Sequence, residues 1–378
     1  MKTKKVLLAV ILIILILPLL GFSGWLLKKG KPLEVFVVNK SMTNYQGSEN
    51  KAFNYVLNTE KIMAQGNRSY NLKSDHFGLI WNNGDYRIKY PRLKELARTA
   101  EKYDMVYYAD ACGIRTSDVR KLASDESDKL EYGGINNTDY NFIKDLLNLE
   151  KPVVIECGFL GPPTDPLVRF NLEKMIDIYY VGWMGKYVQN LAGDADLQPG
   201  FDWKELYRVY TGETWDYSGP GIVMINIEAE RVFVLREGTE IETKDGLIIT
   251  EDTLAEQYNI SPRVNFTGWF TLMHPGNNEV ISDFQLNETG LGKEKLNQFG
   301  VPGRFPALIK ADENFYYMAG DFGKSSSNGL LPKVGIIGPI YNSIRKGSKS
   351  APAFFYSYYQ PFMTSIVEDA LEIKQDSN

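Results

Sequence analysis

The hydrophobic pattern changes character along the chain. Residues 6–27, VLLAVILIILILPLLGFSGWLL, form an uncharged apolar run. A bilayer-spanning helix needs about 20 such residues, so the pattern predicts one N-terminal transmembrane helix. Lys2, Lys4 and Lys5 precede the run and Lys28, Lys29 and Lys31 follow it, so flanking charge alone does not fix its orientation. A short basic stretch ahead of an apolar run is the layout of a signal peptide or signal anchor, and both place the remainder outside. The expected division is 1–5 as a cytoplasmic terminus, 6–27 as a signal anchor at the cell membrane, 28–32 as a linker, and the bulk extracytoplasmic.

From residue 33 apolar runs alternate with amphipathic stretches. Leu33–Val38, Asp104–Asp110 and Lys151–Cys157 are continuous apolar runs, and Gly78–Trp81 is a shorter one. Strands of this texture are buried on both faces, as in parallel sheets. Between them lie expected helices near 50–57, at PRLKELARTAEKY from Pro91, at Asp139–Leu149 with Thr138 as N-cap, and at Asp165–Tyr180. Proline at a first helical position and Thr at a cap fit their usual places. The fold class expected for 33–215 is α/β, a doubly wound and mostly parallel sheet. After Gly219-Pro220-Gly221 the texture becomes β-rich. Ile222–Ile227, Arg231–Leu235, Gly246–Thr250, Val264–Leu272 and Val280–Leu286 are separated by Gly, Asn and Pro. Residues 216–378 are therefore expected to form a β-rich region ending in a helix over 362–374.

Composition narrows the chemistry. The net charge of −5 provides no basic field for nucleic acid. Aromatic residues reach 13%, with 23 Tyr, and tyrosine suits ligands that offer both apolar faces and hydroxyls, sugars among them. With two Cys and two His, zinc-ligand spacing is missing and so is HExxH. A P-loop and GxGxxG are missing too, so neither a metal nor a cofactor is expected.

Ligands of open α/β sheets bind beyond the carboxyl ends of the strands. Three expected strands end in polar groups there: Asn39-Lys40, Asp110-Ala111-Cys112-Gly113 and Glu156-Cys157-Gly158. Asp110 and Glu156 are the candidate catalytic pair, since two carboxyls with pKa values pushed apart can act as acid and base on a glycoside. The plainer alternative is that each caps the loop that follows or pairs with Lys40. Cys112 and Cys157 are a candidate disulfide, or buried thiols. Lys40, His76, Trp183, Lys186 and Asp321 are candidate ligand-binding residues: Lys40 at a strand end, His76 beside Asp75, Trp183 and Lys186 in GWMGKY, and Asp321 in GDFG. Core packing of Trp183 and a turn role for Asp321 are the competing readings.

The order of a YDMVYYAD strand, the Tyr132-Gly133-Gly134 turn, the helix at 139–149 and a KPVVIECG strand resembles the class I glutamine amidotransferase-like (flavodoxin-like) domain over 33–190. Active members carry a G-x-C-x-G nucleophile elbow and a later His-x-Glu. Here Cys112 stands in Asp110-Ala111-Cys112-Gly113-Ile114 and His-x-Glu is missing, so the resemblance implies a degenerate, non-catalytic form. The function expected is that of a membrane-anchored protein binding a carbohydrate or supporting envelope polysaccharide assembly. The alternatives are a glycosidase-type hydrolase using Asp110 and Glu156, and a scaffold subunit of a membrane complex.

Overall fold

The computed structural model describes residues 16, 19–41, 48–82, 85–92, 95–121, 123, 126–193, 202–242, 246–312, 314–325 and 351–376. The apolar runs form the central strands β1 (Val35–Asn39), β4 (Met105–Asp110) and β5 (Val153–Ile155), with the hairpin β2 (Phe77–Asn82) and β3 (Asp85–Lys89) beside them. Every residue of β1 and of β5 is buried, as expected for strands covered on both faces. The chain continues through β6 (Tyr179–Val188), β7 (Gly221–Asn226), β8 (Arg231–Arg236), β9 (Gly246–Thr250), β10 (Arg263–Phe266), β11 (Trp269–His274), β12 (Glu279–Gln285), β13 (Arg304–Ala311) and β14 (Phe315–Met318).

The expected doubly wound, mostly parallel sheet with a β-rich region after it is corrected by the topology. Strands from both halves of the chain join one ten-stranded mixed sheet, ordered β10-β9-β12-β13-β14-β5-β4-β1-β2-β3. Its parallel part is confined to β14, β5, β4, β1 and β2. The flanking pairings are antiparallel. In register, Val37, Tyr107, Val154 and Tyr316 lie side by side. Strand β14, far along the chain, thus completes the parallel core next to β5.

A second sheet, β8-β7-β6-β11, is antiparallel. Its strands alternate between two cores, as period-two side chains must. Ile222, Met224, Phe233 and Leu235 face the main core, while Val223, Ile225, Val232 and Val234 face Trp203 and Tyr207, which belong to the helix Trp203–Thr211. The run Val264–Leu272, one strand by pattern, is two strands in two different sheets. They part at Gly268, where an added Cβ would sit 2.0 Å from Asp321 Oδ1.

Helix boundaries move for identifiable reasons. Helix α1, Ser48–Thr59, lies beside β1. The helix expected from Pro91 begins at Leu96. Helix α2 (Asn137–Asn148) is capped by Asn136, which accepts from the N–H of Thr138 and of Asp139, while Asp139 accepts from the Asn136 N–H. This capping box displaces Thr138 from the expected cap. The helix after Asp165 stops at Ile176, because Asp177 takes a left-handed conformation (φ 51°) and Tyr179 and Tyr180 enter β6. The C-terminal helix, α3 (Gln360–Asp376), follows a π-helical turn over Phe355–Tyr359.

Among the described residues no helix is long and apolar enough to cross a membrane, so none of them alone forms the expected transmembrane helix. Residues 1–15, 17 and 18, which carry most of that run, lie outside the described residues. Its end, 19–27, is helical. Trp25 there donates from Nε1 to Asn58 O at 2.7 Å, and Lys61 Nζ lies 4.8 Å from the centre of its ring.

Candidate functional site

Four parallel strands deliver polar residues to one edge. Strand β1 leads into Lys40, β4 ends at Asp110, β5 leads into Glu156 and Cys157, and β14 leads through Ala319 and Gly320 to Asp321. They divide into residues turned inward and residues that meet at the surface.

Lys40 is turned inward. Its side chain is 1% exposed, and Nζ donates to Asp139 Oδ2 at 2.6 Å and to Gly134 O at 2.8 Å. Asp139 also accepts from Tyr90 OH at 2.5 Å, Tyr108 OH at 3.4 Å and the Asn136 N–H at 2.9 Å. The ion pair has its hydrogen bonds supplied on both sides. It ties the end of β1 to the start of α2 and leaves Lys40 no face for a ligand.

Glu156 is sealed as well. It is 2% exposed. Tyr107 OH donates to Oε1 at 2.5 Å, Tyr359 OH lies 2.9 Å from Tyr107 OH, and the Gly323 N–H reaches both carboxyl oxygens at 3.1 Å. Burial pushes its pKa well above the carboxylate range and outweighs the lowering by Tyr107 and Gly323; Asp321 and Asp110 add to the rise. Glu156 is sealed inside the protein, out of reach of a sugar.

Asp110 and Asp321 remain at the surface, each half-buried. Asp110 Oδ1 accepts from the Cys112 N–H at 2.8 Å. The Asp321 N–H donates to Trp269 O at 2.9 Å, which holds the turn after β14 against the start of β11. Although the residue is partly exposed, Oδ1 itself is buried and has no hydrogen-bond partner. Burial raises the Asp321 pKa to about 7; Lys324 and Lys186 pull it down and Asp110 pushes it up. Those groups therefore lie close enough to act on its charge. Lys186 Nζ also sits 5.7 Å from the centre of the Trp269 ring.

Cys112 and Cys157 are free thiols rather than a disulfide. Burial raises both well above the usual thiol value. Asp110 adds to the rise at Cys112, and Asp321 and Asp110 add to it at Cys157. Neither is a thiolate near neutral pH, and the thiolate is the nucleophilic form. A Cβ on Gly158 (φ +88°) would lie 2.4 Å from Cys112 Sγ, so this loop needs a glycine there.

Among the expected residues, Asp110 and Lys186 both act on the charge of Asp321, and half-buried Cys112 and buried Cys157 adjoin them. His76 and Trp183 are elsewhere. His76 is 1% exposed with Nε2 2.8 Å from Leu79 O. Trp183 packs edge-on against Phe233 and Phe299 at 5.1 and 5.8 Å. Sequence reasoning missed Lys324, although GDFGK places it one turn beyond Asp321, and it missed half-buried Tyr180, a neutral phenol whose ionisation both cysteines oppose. Among the described residues no cluster of three His, Cys, Asp or Glu could hold a metal ion. A separate cavity of about 390 Å³ lies at the amino end of β14, between Lys310, Tyr316, Asp369 and Glu372.

No family model and no curated protein matches the chain. A solved structure of a ThuA-like protein from Bacteroides uniformis aligns with a TM-score of 0.36 and 6% identity, over 86% of this chain and 95% of that one. A likeness at that level bears on neither fold nor chemistry.

Proposed function

We propose that this chain binds a carbohydrate at the carboxyl edge of its ten-stranded sheet, with an envelope polysaccharide as the ligand class. The observation that carries this reading is the placement of two half-buried carboxyls, Asp110 and Asp321, beyond the ends of the two strands that flank β5, with Lys186 and Lys324 near enough for their charges to act on Asp321. Small-molecule sites use a few convergent polar groups to fix orientation, and a sugar's hydroxyls can both donate to carboxylate oxygens and accept from ammonium groups. Tyr180 supplies an amphipathic ring of the kind that suits such ligands. The apolar run at 6–27 with its basic flanks supports export to where envelope glycans are found. The amidotransferase-like resemblance supports no glutaminase chemistry, because Cys112 is a protonated thiol. The test is an array of envelope oligosaccharides probed with the full chain. Binding that falls at least tenfold in Asp110→Asn and in Asp321→Asn supports the reading; binding that both variants retain, or no binding to any glycan, contradicts it.

A second reading, a carboxylate-based glycosidase, is favoured by one feature. Asp321, raised to about 7 beside another carboxyl, has the protonation a general acid needs near neutrality. Asp321 then takes the place first given to Glu156. Release of reducing ends from a bound glycan, abolished in Asp321→Asn, separates this from binding alone.

A further inference from the structure

The most buried acid of the carboxyl edge has no access to a ligand, yet it grips the segment that carries the site. Both Glu156 oxygens accept from the Gly323 N–H at 3.1 Å, and Gly323 is two residues beyond Asp321 and one before Lys324. Between them Phe322 is fully buried against Phe266, Phe354 and Tyr358. On its other side Glu156 meets Tyr107, whose hydroxyl is 2.9 Å from that of Tyr359. Tyr359 closes the π-helical turn ahead of α3, and π turns recur at functional sites. A continuous chain of hydrogen bonds thus runs from the C-terminal segment through Tyr107 and Glu156 to the turn bearing Asp321 and Lys324.

We propose that Glu156 is a positioning residue for Asp321, and that seating of the C-terminal segment through Tyr359 sets the geometry of the carboxyl edge. The inference rests on the reading of that edge as a ligand site. Its mechanism is mechanical rather than electrostatic. The buried carboxyl offers the Gly323 N–H an acceptor that water cannot supply, and an unsatisfied buried N–H is unfavourable enough to rearrange the turn. A glutamine keeps the acceptor; a leucine of similar size does not.

Asp321 reports on its own position. Lys324, Lys186, Asp110, Glu156 and Cys157 all act on its charge, and burial dominates its raised pKa. A turn that loosens lets water in and lowers the titration midpoint. The experiment is ¹³Cγ-aspartate NMR of the full chain without ligand, with the Asp321 signal assigned by its loss in Asp321→Asn. Wild type and Glu156→Gln are expected to share a midpoint, and Glu156→Leu to titrate lower by about one unit or more as desolvation is relieved. Should Glu156→Leu fail to fold, Tyr359→Phe, which deletes one hydroxyl and no charge, is expected to lower the midpoint as well. An unchanged midpoint in folded Glu156→Leu or in Tyr359→Phe overturns the inference, as does a Glu156→Gln shift as large as that of leucine. The readout needs no glycan, so failure of carbohydrate binding and failure of the positioning role are separate results.

Discussion

Lys40→Met is the perturbation whose size the structure fixes most closely. Lys40 Nζ makes two short hydrogen bonds in a site where its side chain and that of Asp139 are 1% and 0% exposed. Methionine fills the space of the stem and removes the charge. Asp139 is left with two tyrosine hydroxyls and the Asn136 N–H, neutral donors with no cation among them. Breaking a buried pair from one side typically costs about 3–5 kcal/mol. Against a usual total of roughly 5–15 kcal/mol, that is a large share of the stability of the fold. The Tyr90 and Tyr132 rings, 5.4 and 5.7 Å from Nζ, lose a cation–π contact in addition. The assay is urea unfolding followed by tryptophan fluorescence, on Lys40→Met, Asp139→Leu and the double variant. The double variant is expected to cost less than the sum of the singles by about 2 kcal/mol or more, because each single leaves its partner's charge uncompensated. A Lys40→Met cost under about 1 kcal/mol, the range of exposed pairs, would refute the reasoning.

Three further outcomes follow from the same geometry. The raised pKa of Asp321, about 7 in the folded state against roughly 3.9 unfolded, means that the unfolded chain releases its proton first as pH rises. Its contribution to stability is complete below about pH 4 and declines toward pH 7, so Asp321→Asn is expected to flatten the fall in Tm across that window; equal slopes in both proteins would contradict this. Cys157, buried and with its thiol raised, is expected in a Cys112→Ser background to react with Ellman's reagent at pH 8 only after unfolding, and immediate reaction in the native protein would count against its placement. Gly268→Ala puts a methyl 2.0 Å from Asp321 Oδ1, so it is expected to expel that carboxyl and lower its NMR titration midpoint, while an unmoved midpoint would show that the corner yields elsewhere.

The central strands were legible because burial on both faces writes itself into the sequence as an unbroken apolar run. Val35–Asn39, Met105–Asp110 and Val153–Ile155 all carry that signature, and their polar ends mark the carboxyl edge. What local pattern could not show was which distant strand would lie next to β5. Phe315–Met318 fills that place through pairing across more than 150 residues, and this pairing merges two expected regions into one sheet. Val264–Leu272 misled for the converse reason: an apolar run looks the same whether it stays in one sheet or crosses to another at Gly268. Among the site residues, Asp110 and Asp321 could be placed at strand ends by pattern. The choice of Asp110 with Glu156 failed on direction. Glu156 shares a face with Tyr107, and the groups that seal it in, Tyr359 and Gly323, come from remote segments. Lys40 lost its ligand role to Asp139, a helix-capping residue whose second role as a counter-ion depends on how α2 docks.

The most direct test of the carboxyl edge as the ligand site is carboxyl footprinting. The full chain would be labelled with carbodiimide and glycine ethyl ester, with and without a saturating envelope oligosaccharide chosen from the array, and modification at each acid quantified by mass spectrometry. Protection of Asp110 and Asp321 by the glycan, with Asp369 and Glu372 of the distant cavity unchanged, is the expected result. Protection at Asp369 and Glu372 with Asp110 and Asp321 still labelled would place the ligand at the opposite end of β14 and contradict the account.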